Sequence, residues 1–326
     1  SSLQSNPRHR KLAAAQGGES LSAAPQDEAK KIGKTIITAI ASDIDGTLLN
    51  SKQQVSQRNV ETIQRARKKG ILFFPATGKS RQGVYNALGE FGQELKKENC
   101  PGVFLQGLIV YDQNGNVIHE MLLPLEPVKK VVQFCTREGI SLVAYHRDRI
   151  LCSQRDANTD KLINYCEPTP EAIGPLDEAM VANGQVYNKL IIMGNDEDQI
   201  TKIRPAMEAL IGEDAEITQA IGYMLEILPK GGSKGDGVRR LLGALGVDPA
   251  GLLALGDAEN DVEMLRLAGT GVAMGNARPA LFAATGGRRT ATHDRDGVAR
   301  AVGHYCLGEP DPACLLGLGG GAEEEE

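Results

Sequence analysis

The chain has 326 residues, of which 41% are hydrophobic and 24% are charged, and its formal net charge is -6. This composition is typical of a globular protein of about two domains, and the acidic balance argues against a general nucleic-acid-binding protein. No apolar run approaches the roughly 18 residues of a membrane-spanning helix, and the six cysteines and five histidines are scattered without metal-binding spacing, which argues against a zinc site.

The two ends of the sequence differ in composition from its middle. Residues 1–18 contain basic residues but no acidic residue, and serine and alanine are frequent. This stretch resembles the remainder of an organellar transit peptide, although a cloning remnant or a plain disordered tail would have the same composition. We therefore predict a disordered or targeting tail at residues 1–33 and a chloroplast location, with the cytoplasm as the alternative. Residues 307–326 end in Gly and Glu runs and are predicted to be a disordered acidic tail.

Between the tails, short apolar runs alternate with helical patterns. The predicted buried strands are 35–41, 71–74, 140–145, 189–194, 251–255 and 271–274. Ser56 is expected to cap a helix that ends before Gly70, and Ser233 is expected to cap a helix at 233–245. Further helices are predicted at 128–138 and 197–211, with one more starting near Asn260. Apolar runs without alternation indicate strands that are covered by helices on both faces, as in a parallel sheet.

The order of these elements divides the structured chain into two parts. We predict an α/β fold with a Rossmann-like, doubly wound parallel sheet built from residues 34–124 and 225–306. The middle of the chain has its own strands and helices around a Pro- and Glu-containing stretch. We therefore predict that residues 125–224 form an inserted α/β domain.

Four polar stretches share one position relative to these elements. "SDIDGTLL" (42–49) follows the first strand, "ATGKS" (76–80) follows the second, "GDAEND" (256–261) follows a later strand, and "GGSKG" (231–235) opens a helix. Ligands of open parallel α/β sheets bind outside the carboxyl ends of the strands, so these stretches predict one shared crevice. The residues expected to converge there are Asp43, Asp45, Thr77, Gly78, Lys234, Asp257, Asn260 and Asp261.

The residue types in this crevice indicate its chemistry. Four carboxylates in one place repel each other unless a hard cation lies among them, and a set of oxygen ligands suits Mg²⁺. Thr77, the backbone of Gly78 and Lys234 add hydrogen-bond donors and a positive charge, which suit a phosphate group. Together these features indicate phosphoryl transfer, in which one carboxylate attacks phosphorus and another moves the proton.

The same four stretches resemble the motifs of the haloacid dehalogenase superfamily of phosphohydrolases, in the Cof-type branch with an α/β cap inserted between the second and third motifs. The resemblance runs from about residue 36 to residue 303. It rests on "DIDGTLL", "ATGKS", the Lys in "PKGGSKG" and "GDAENDVEM", in this order. Two departures concern substrate contacts: Lys79 stands where the family often has Arg, and Gln106 where relatives often have Asn.

The resemblance implies a role for each residue of the crevice. Asp43 would be the nucleophile and a metal ligand, and Asp45 would be the general acid and base and offer its backbone carbonyl to the metal. Lys234 would stabilise the charge on the nucleophile and on the phosphate. The remaining implied roles are phosphate binding by Thr77, Gly78 and Asn260, and magnesium binding by Asp257 and Asp261.

These roles predict a magnesium-dependent phosphatase that acts on a small phosphorylated metabolite through an aspartyl-phosphate. A sugar phosphate and a phosphorylated flavin precursor are both expected substrates. The alternatives are a phosphosugar mutase, which returns the phosphoryl group to a sugar, and a non-catalytic scaffold subunit that keeps the fold. We expect no nucleic-acid or membrane partner, and the sequence leaves the oligomeric state open. The "YHRDR" run (145–149) is either a solvated edge or a substrate contact.

Overall fold

The computed structural model describes residues 36–219 and 221–314. The predicted N-terminal tail and residues 315–326 of the predicted C-terminal tail lie outside these residues. In the part of the chain that is described, we find no helix with the length and apolar character needed to cross a membrane.

The described residues form strands and α-helices in the following order along the chain. The strands are β1 (Ala39–Ser42), β2 (Leu72–Pro75), β3 (Gly102–Phe104), β4 (Ile109–Tyr111), β5 (Val117–Glu120), β6 (Ser141–His146), β7 (Arg149–Cys152), β8 (Glu171–Ala172), β9 (Lys189–Met193), β10 (Glu216–Thr218), β11 (Met224–Leu228), β12 (Leu252–Gly256) and β13 (Thr270–Ala273). The helices are α1 (Gln57–Lys68), α2 (Arg81–Ala87), α3 (Gly89–Lys97), α4 (Leu125–Glu138), α5 (Leu176–Asn183), α6 (Glu197–Ile211), α7 (Lys234–Leu245), α8 (Val262–Leu267), α9 (Pro279–Ala284) and α10 (Gly297–Val302). The strands belong to three sheets.

The first sheet is parallel and has the strand order β13-β12-β1-β2. Its strands alternate side chains between two apolar clusters: Ile40 and Phe73 lie in one cluster with side chains of α1 and α10, and Ala41 and Phe74 lie in the other with side chains of α7 and α8. Helices therefore cover both faces, which confirms the predicted doubly wound α/β fold. Ser42 at the end of β1 is level with Pro75 of β2 and Leu255 of β12, so the residues that follow these strands share one edge.

The second sheet has six strands in the order β10-β11-β9-β6-β7-β8, and its pairs are antiparallel except for β7 and β8. One face packs against α4 and α6, as Leu190 and Ile192 of β9 show. Because strand side chains alternate, Lys189 and Ile191 point to the opposite face. The predicted limit of the inserted domain at residue 224 falls at the start of β11, and the structure places the whole of β11 in this sheet because it pairs with β9.

The third sheet, β3-β4-β5, is antiparallel and was not predicted. Its strands have three or four residues each, which is too short for a clear periodic pattern. A single bridge between Ala76 and Val103 places β3 beside the end of β2. The third sheet therefore continues the parallel sheet at its β2 edge.

The structure tests two predictions, one about the caps of helices and one about the C-terminal tail. Ser56 and Ser233 cap α1 and α7 through hydrogen bonds from Asn59 N–H and Asp236 N–H, as predicted. By contrast, residues 307–314, which the sequence assigned to the disordered tail, belong to the folded part. Asp311 lies 3.3 Å from a guanidinium nitrogen of Arg300, and Cys314 is 2% exposed.

Candidate active site

The carboxyl-end edge of the parallel sheet brings the predicted site residues together. Asp43 follows β1, Thr77 follows β2 by two residues, and Asp257 follows β12. Lys234 is the first residue of α7, behind its Ser233 cap. Asp43, Asp45, Thr77, Gly78, Lys234 and Asn260 all line one cavity of about 300 Å³.

Three carboxylates lie close together at one end of this cavity. One oxygen atom from each of Asp43, Asp257 and Asp261 can be chosen such that all three lie within 4.8 Å of one another. Thr47 donates a hydrogen bond of 2.8 Å to Asp257 Oδ1, and the backbone N–H groups of Asp257 and Ala258 donate to Asp261 Oδ2 at 3.0 Å. We call Asp43, Asp257 and Asp261 the carboxylate triad. The triad is held in place before any ligand arrives.

Lys234 supplies the positive charge of this cluster. Its Nζ lies 2.9 Å from Asp43 Oδ1 and 2.8 Å from Asp261 Oδ1, and the side chain is 1% exposed. Burial opposes the charged form, but Asp261 and Asp43 outweigh it and raise the pKa of Lys234 above its ordinary value. Lys234 is therefore held as an ammonium group between two carboxylates.

One ammonium does not balance three carboxylates, and Asp43 shows the consequence. Burial raises the pKa of Asp43 to about 8, Asp261 and Asp257 add to the rise, and Lys234 opposes it. Burial, followed by the charge of Asp261, also raises the pKa of Asp257, although the bond from Thr47 opposes this. The carboxylate triad therefore has an excess of negative charge that an oxygen-preferring divalent cation would neutralise, so these residues fit Mg²⁺.

Asp45 occupies a different environment from Asp43 although only one residue separates them. Its side chain is 44% exposed, and its Oδ1 lies 3.2 Å from Nζ of Lys79. Lys79 also donates a 2.7 Å hydrogen bond to the carbonyl of Tyr165, which follows the second sheet's β7 in the chain. The two carboxylates of "DID" are thus separated into a buried one in the triad and an open one beside a second lysine.

Gly46 makes this separation possible. Its φ of +75° belongs to the left-handed region, and a Cβ at this position would lie 2.4 Å from Asp257 Oδ2. Only glycine accommodates both the turn and the close approach. Asn276 donates a 2.8 Å hydrogen bond to the carbonyl of Gly46 and accepts one from His293 N–H at 2.9 Å, which ties the turn to the loop after β13.

Apart from Tyr145 of the "YHRDR" run, the residues that the second sheet contributes to the roof of the cavity were not predicted. Tyr145, Lys189, Ile191, Met224 and Glu226 come from the second sheet and line the same cavity as Asp43 and Lys234. We call these five residues the roof. The sequence carried one signal for them, since "KLIIM" and "MLEIL" each place a charged residue in an otherwise apolar strand.

Other sequence expectations near the cavity have mixed outcomes. Lys79 and Gln106, noted as departures from the family pattern, both line it. Of the "YHRDR" run, Tyr145 lines the cavity, whereas Arg147 and Arg149 pair with Glu120 and Glu171. The run is therefore mainly a paired surface with one cavity residue.

Comparison with known proteins places this geometry in a family. The family model for haloacid dehalogenase-like hydrolases matches residues 40–302. A 5-amino-6-(5-phospho-D-ribitylamino)uracil phosphatase of Bacillus subtilis is 30% identical over 272 residues, covering 82% of this chain and 96% of that protein. A solved haloacid dehalogenase-like hydrolase from Bacteroides thetaiotaomicron is 26% identical, with a TM-score of 0.74 and coverage of 82% of this chain and 99% of the other.

A further relative is longer than the chain. The chloroplastic endoribonuclease YBEY of Arabidopsis thaliana is 37% identical over 284 residues. The match covers 85% of this chain but 48% of that protein, so the chain spans about half the length of this relative.

Proposed function

The chain belongs to the haloacid dehalogenase-like hydrolases, and we propose that it is a magnesium-dependent phosphatase that hydrolyses a small phosphorylated metabolite through an aspartyl-phosphate. The observation that supports the proposal is the carboxylate triad with Lys234, because Asp43 of the triad and Lys234 line one cavity with Asp45 and Thr77. Oxygen ligands for a metal, a fixed ammonium group and a further carboxylate outside the triad are the parts that phosphoryl transfer requires.

Asp43 is the proposed nucleophile. A bond forms between its carboxylate oxygen and the phosphorus of the substrate, while the bond from phosphorus to the leaving oxygen breaks. Burial raises the pKa of Asp43 to about 8. The ammonium group of Lys234, 2.9 Å away, opposes this rise and favours the ionised nucleophile, and a cation held by the triad would favour it further.

Asp45 is the proposed general acid and base. It gives a proton to the leaving oxygen in the first step, and in the second it takes a proton from the water that attacks phosphorus. The second step releases phosphate and restores the carboxylate of Asp43. Its 44% exposed side chain, held beside Lys79, suits a group that must meet both substrate and water.

The carboxylate triad, with the backbone carbonyl of Asp45, would hold Mg²⁺. When bound, the ion neutralises the carboxylates and draws charge from the phosphoryl oxygens. Thr77, Gly78 and Asn260 line the cavity and are the proposed hydrogen-bond partners of the phosphoryl group.

The proposed substrates are sugar phosphates and phosphorylated flavin precursors. The name of the Bacillus subtilis relative supports the second group. The match covers 48% of the Arabidopsis relative that is named an endoribonuclease, but 96% of the Bacillus subtilis phosphatase. This difference in coverage favours phosphatase chemistry for this chain. The chloroplastic name of the Arabidopsis relative supports a chloroplast location.

We also propose that residues 125–228 act as the cap domain over a core formed by residues 34–124 and 229–306. The pairing of β11 with β9 supports the shifted limit. The roof residues line the same cavity as Asp43 and Lys234, which is the arrangement that a cap over the core would have.

The proposal is tested by measuring phosphate release from a panel of phosphorylated metabolites and an aryl phosphate, with Mg²⁺ and with a chelator. Wild type and Asp43→Asn are compared, and circular dichroism checks that the variant is folded. We expect metal-dependent release by wild type and a loss of about 10⁴-fold or more in the variant, because an amide is a poor nucleophile.

Three outcomes would contradict the proposal. Near-normal activity of folded Asp43→Asn would exclude the aspartyl-phosphate mechanism. Activity that requires a sugar bisphosphate and yields an isomeric sugar phosphate would identify a mutase. No release from any compound by folded wild type with Mg²⁺ would favour the scaffold.

A further inference from the structure

The roof of the cavity contains a buried ion pair on an otherwise apolar face. Nζ of Lys189 lies 2.9 Å from Oε2 of Glu226, and their side chains are 3% and 9% exposed. The neighbouring roof residues Ile191, Met224 and Tyr145 are buried apolar or aromatic side chains. Removing two charges from water is costly, and replacing such a pair by apolar residues is often neutral or stabilising. Stability alone therefore does not explain this pair.

The pair is connected to the end of the cavity formed by Asp43, Lys234, Thr77 and Gly78, which we call the phosphate end because these residues are proposed to contact the phosphoryl group. Nζ of Lys189 donates a 3.3 Å hydrogen bond to the carbonyl of Gly78 and lies 4.8 Å from the centre of the Tyr145 ring. Gln106 donates a 3.2 Å hydrogen bond to Oε2 of Glu226. The donors of Lys189 are thus directed to groups of the protein itself.

Glu226, by contrast, has unused capacity. Within the described residues, its hydrogen bonds from Lys189 and Gln106 both end on Oε2, and Oε1 accepts none. A carboxylate oxygen in a cavity lining that lacks a protein donor is an acceptor for a substrate hydroxyl group.

The positive charges around the cavity are all paired with carboxylates. Among its lining residues in the described part of the chain, the cations are Lys79, Lys189 and Lys234, and each lies within 3.2 Å of a carboxylate oxygen. Glu167 adds a further carboxylate to the lining. A second anionic group on a substrate would therefore meet no unmatched cation and would approach Glu226.

We propose that Lys189, Glu226 and Gln106 form a leaving-group subsite that selects phosphate monoesters whose organic part is neutral and rich in hydroxyl groups. The same subsite rejects monoesters that carry a second anionic group at the far end. This inference deepens the proposed phosphatase function and rests on it. Glu226 accepts a hydroxyl proton from the substrate, Lys189 fixes the carboxylate, and Gln106 orients it from the side of the phosphate-binding loop.

The test uses two substrates that differ at one carbon. Glucitol 6-phosphate has a hydroxymethyl group at C1, where 6-phosphogluconate has a carboxylate. We expect wild-type kcat/KM to favour glucitol 6-phosphate by about tenfold or more, because placing like charges together is costly. In Glu226→Gln the ammonium of Lys189 loses its partner and attracts the carboxylate, so the preference should fall by about tenfold or reverse.

A matched control separates this effect from a general change in charge. Glu213 pairs with Lys230 on the surface and its side chain is 97% exposed, so Glu213→Gln should leave the preference unchanged. A wild type that hydrolyses both substrates equally would overturn the proposal. So would a Glu226→Gln variant that loses activity on both in parallel, since a merely structural role would lower both rates and keep their ratio.

A binding measurement distinguishes failure of the subsite from failure of the phosphatase proposal. If wild type releases phosphate from neither compound nor from an aryl phosphate, the phosphatase function fails. Calorimetric titration of wild type and Glu226→Gln with both compounds then tests the subsite alone. Tighter binding of glucitol 6-phosphate that is lost in the variant supports the subsite, and equal binding of the two compounds overturns it.

Discussion

The two ends of the cavity are built by opposite means. At the phosphate end, the carboxylate triad and Lys234 come from loops and a helix start at one edge of the parallel sheet, and negative charge exceeds positive charge. At the roof, Lys189 begins β9 and Glu226 lies in the middle of β11, and their charges balance each other. The first end has an excess of negative charge that a cation would neutralise, whereas the second is balanced in charge and is where we propose that the organic part of the substrate binds.

Charge balance therefore separates a chemical role from a selective one. An excess of carboxylates costs stability and is explained by the ion and the phosphoryl group that they would bind. A balanced buried pair contributes little to stability, and we propose that the role of this one is to accept one class of leaving group and to exclude another. Substitutions that remove one charge at each end test this comparison.

The largest effect is expected from Lys234→Met at the phosphate end. The change leaves Asp43 and Asp261 buried without their cation, so the free energy of unfolding in chelator should fall by about 3–5 kcal/mol, and phosphate release should be lost. Chemical denaturation measures the first effect. The control Lys230→Met removes a lysine whose partner Glu213 is exposed, and should change stability by about 0.5 kcal/mol or less.

The pH dependence of this variant has a defined sign. Burial already raises the pKa of Asp43 to about 8, and loss of Lys234 raises it further. A carboxyl group whose pKa is higher in the folded state takes up a proton on folding, so the variant should lose stability as the pH rises from about 5 to about 9. Stability that rises over this range would show that Asp43 does not carry the effect.

A smaller effect is expected at the roof, and it should be reversible by a second change. Lys189→Met leaves Glu226 buried and unpaired and should cost about 3 kcal/mol in the free energy of unfolding. The double variant Lys189→Met with Glu226→Met has an apolar pair instead and should recover most of this loss. If the double variant is no more stable than the single one, the ion pair itself stabilises the fold, which would contradict a purely selective role.

The smallest effect is expected from Thr47→Val, which removes the 2.8 Å hydrogen bond to Asp257 Oδ1. Groups that orient metal ligands commonly affect metal affinity by 10-fold to 100-fold, so Mg²⁺ affinity measured by calorimetry should fall about 10-fold. Thr285→Val is the control, because the Thr285 hydroxyl is likewise bonded, to the carbonyl of Phe282, away from the triad. An unchanged Mg²⁺ affinity in Thr47→Val would indicate that Asp257 does not bind the ion.

The sequence predicted those elements whose signals are local. The Ser56 and Ser233 caps, the strands of the parallel sheet and the helices at 128–138, 197–211 and 233–245 all correspond to elements of the structure. The sequence did not predict β3 to β5 because strands of three and four residues show no clear periodic pattern. The turn between β3 and β4 was also missed, because Gln106 has a left-handed backbone there and glutamine is not a residue type that indicates such a turn.

The sequence by itself determined where the carboxylates, the phosphate-binding loop and the lysine would meet, because each follows a strand or opens a helix and the ends of parallel strands share an edge. It also determined the family, since "DIDGTLL" and "GDAENDVEM" are contiguous motifs. Only the tertiary structure decided which residues form the roof of the cavity. Lys189 and Glu226 lie 37 residues apart, and they meet because the antiparallel register sets Glu226 opposite Ile191, diagonal to Lys189 on the same face. A shift of that register by one residue would turn Glu226 away from the cavity. Because β9 and β11 are buried on both faces, no alternation of polar and apolar residues in the sequence fixes the register.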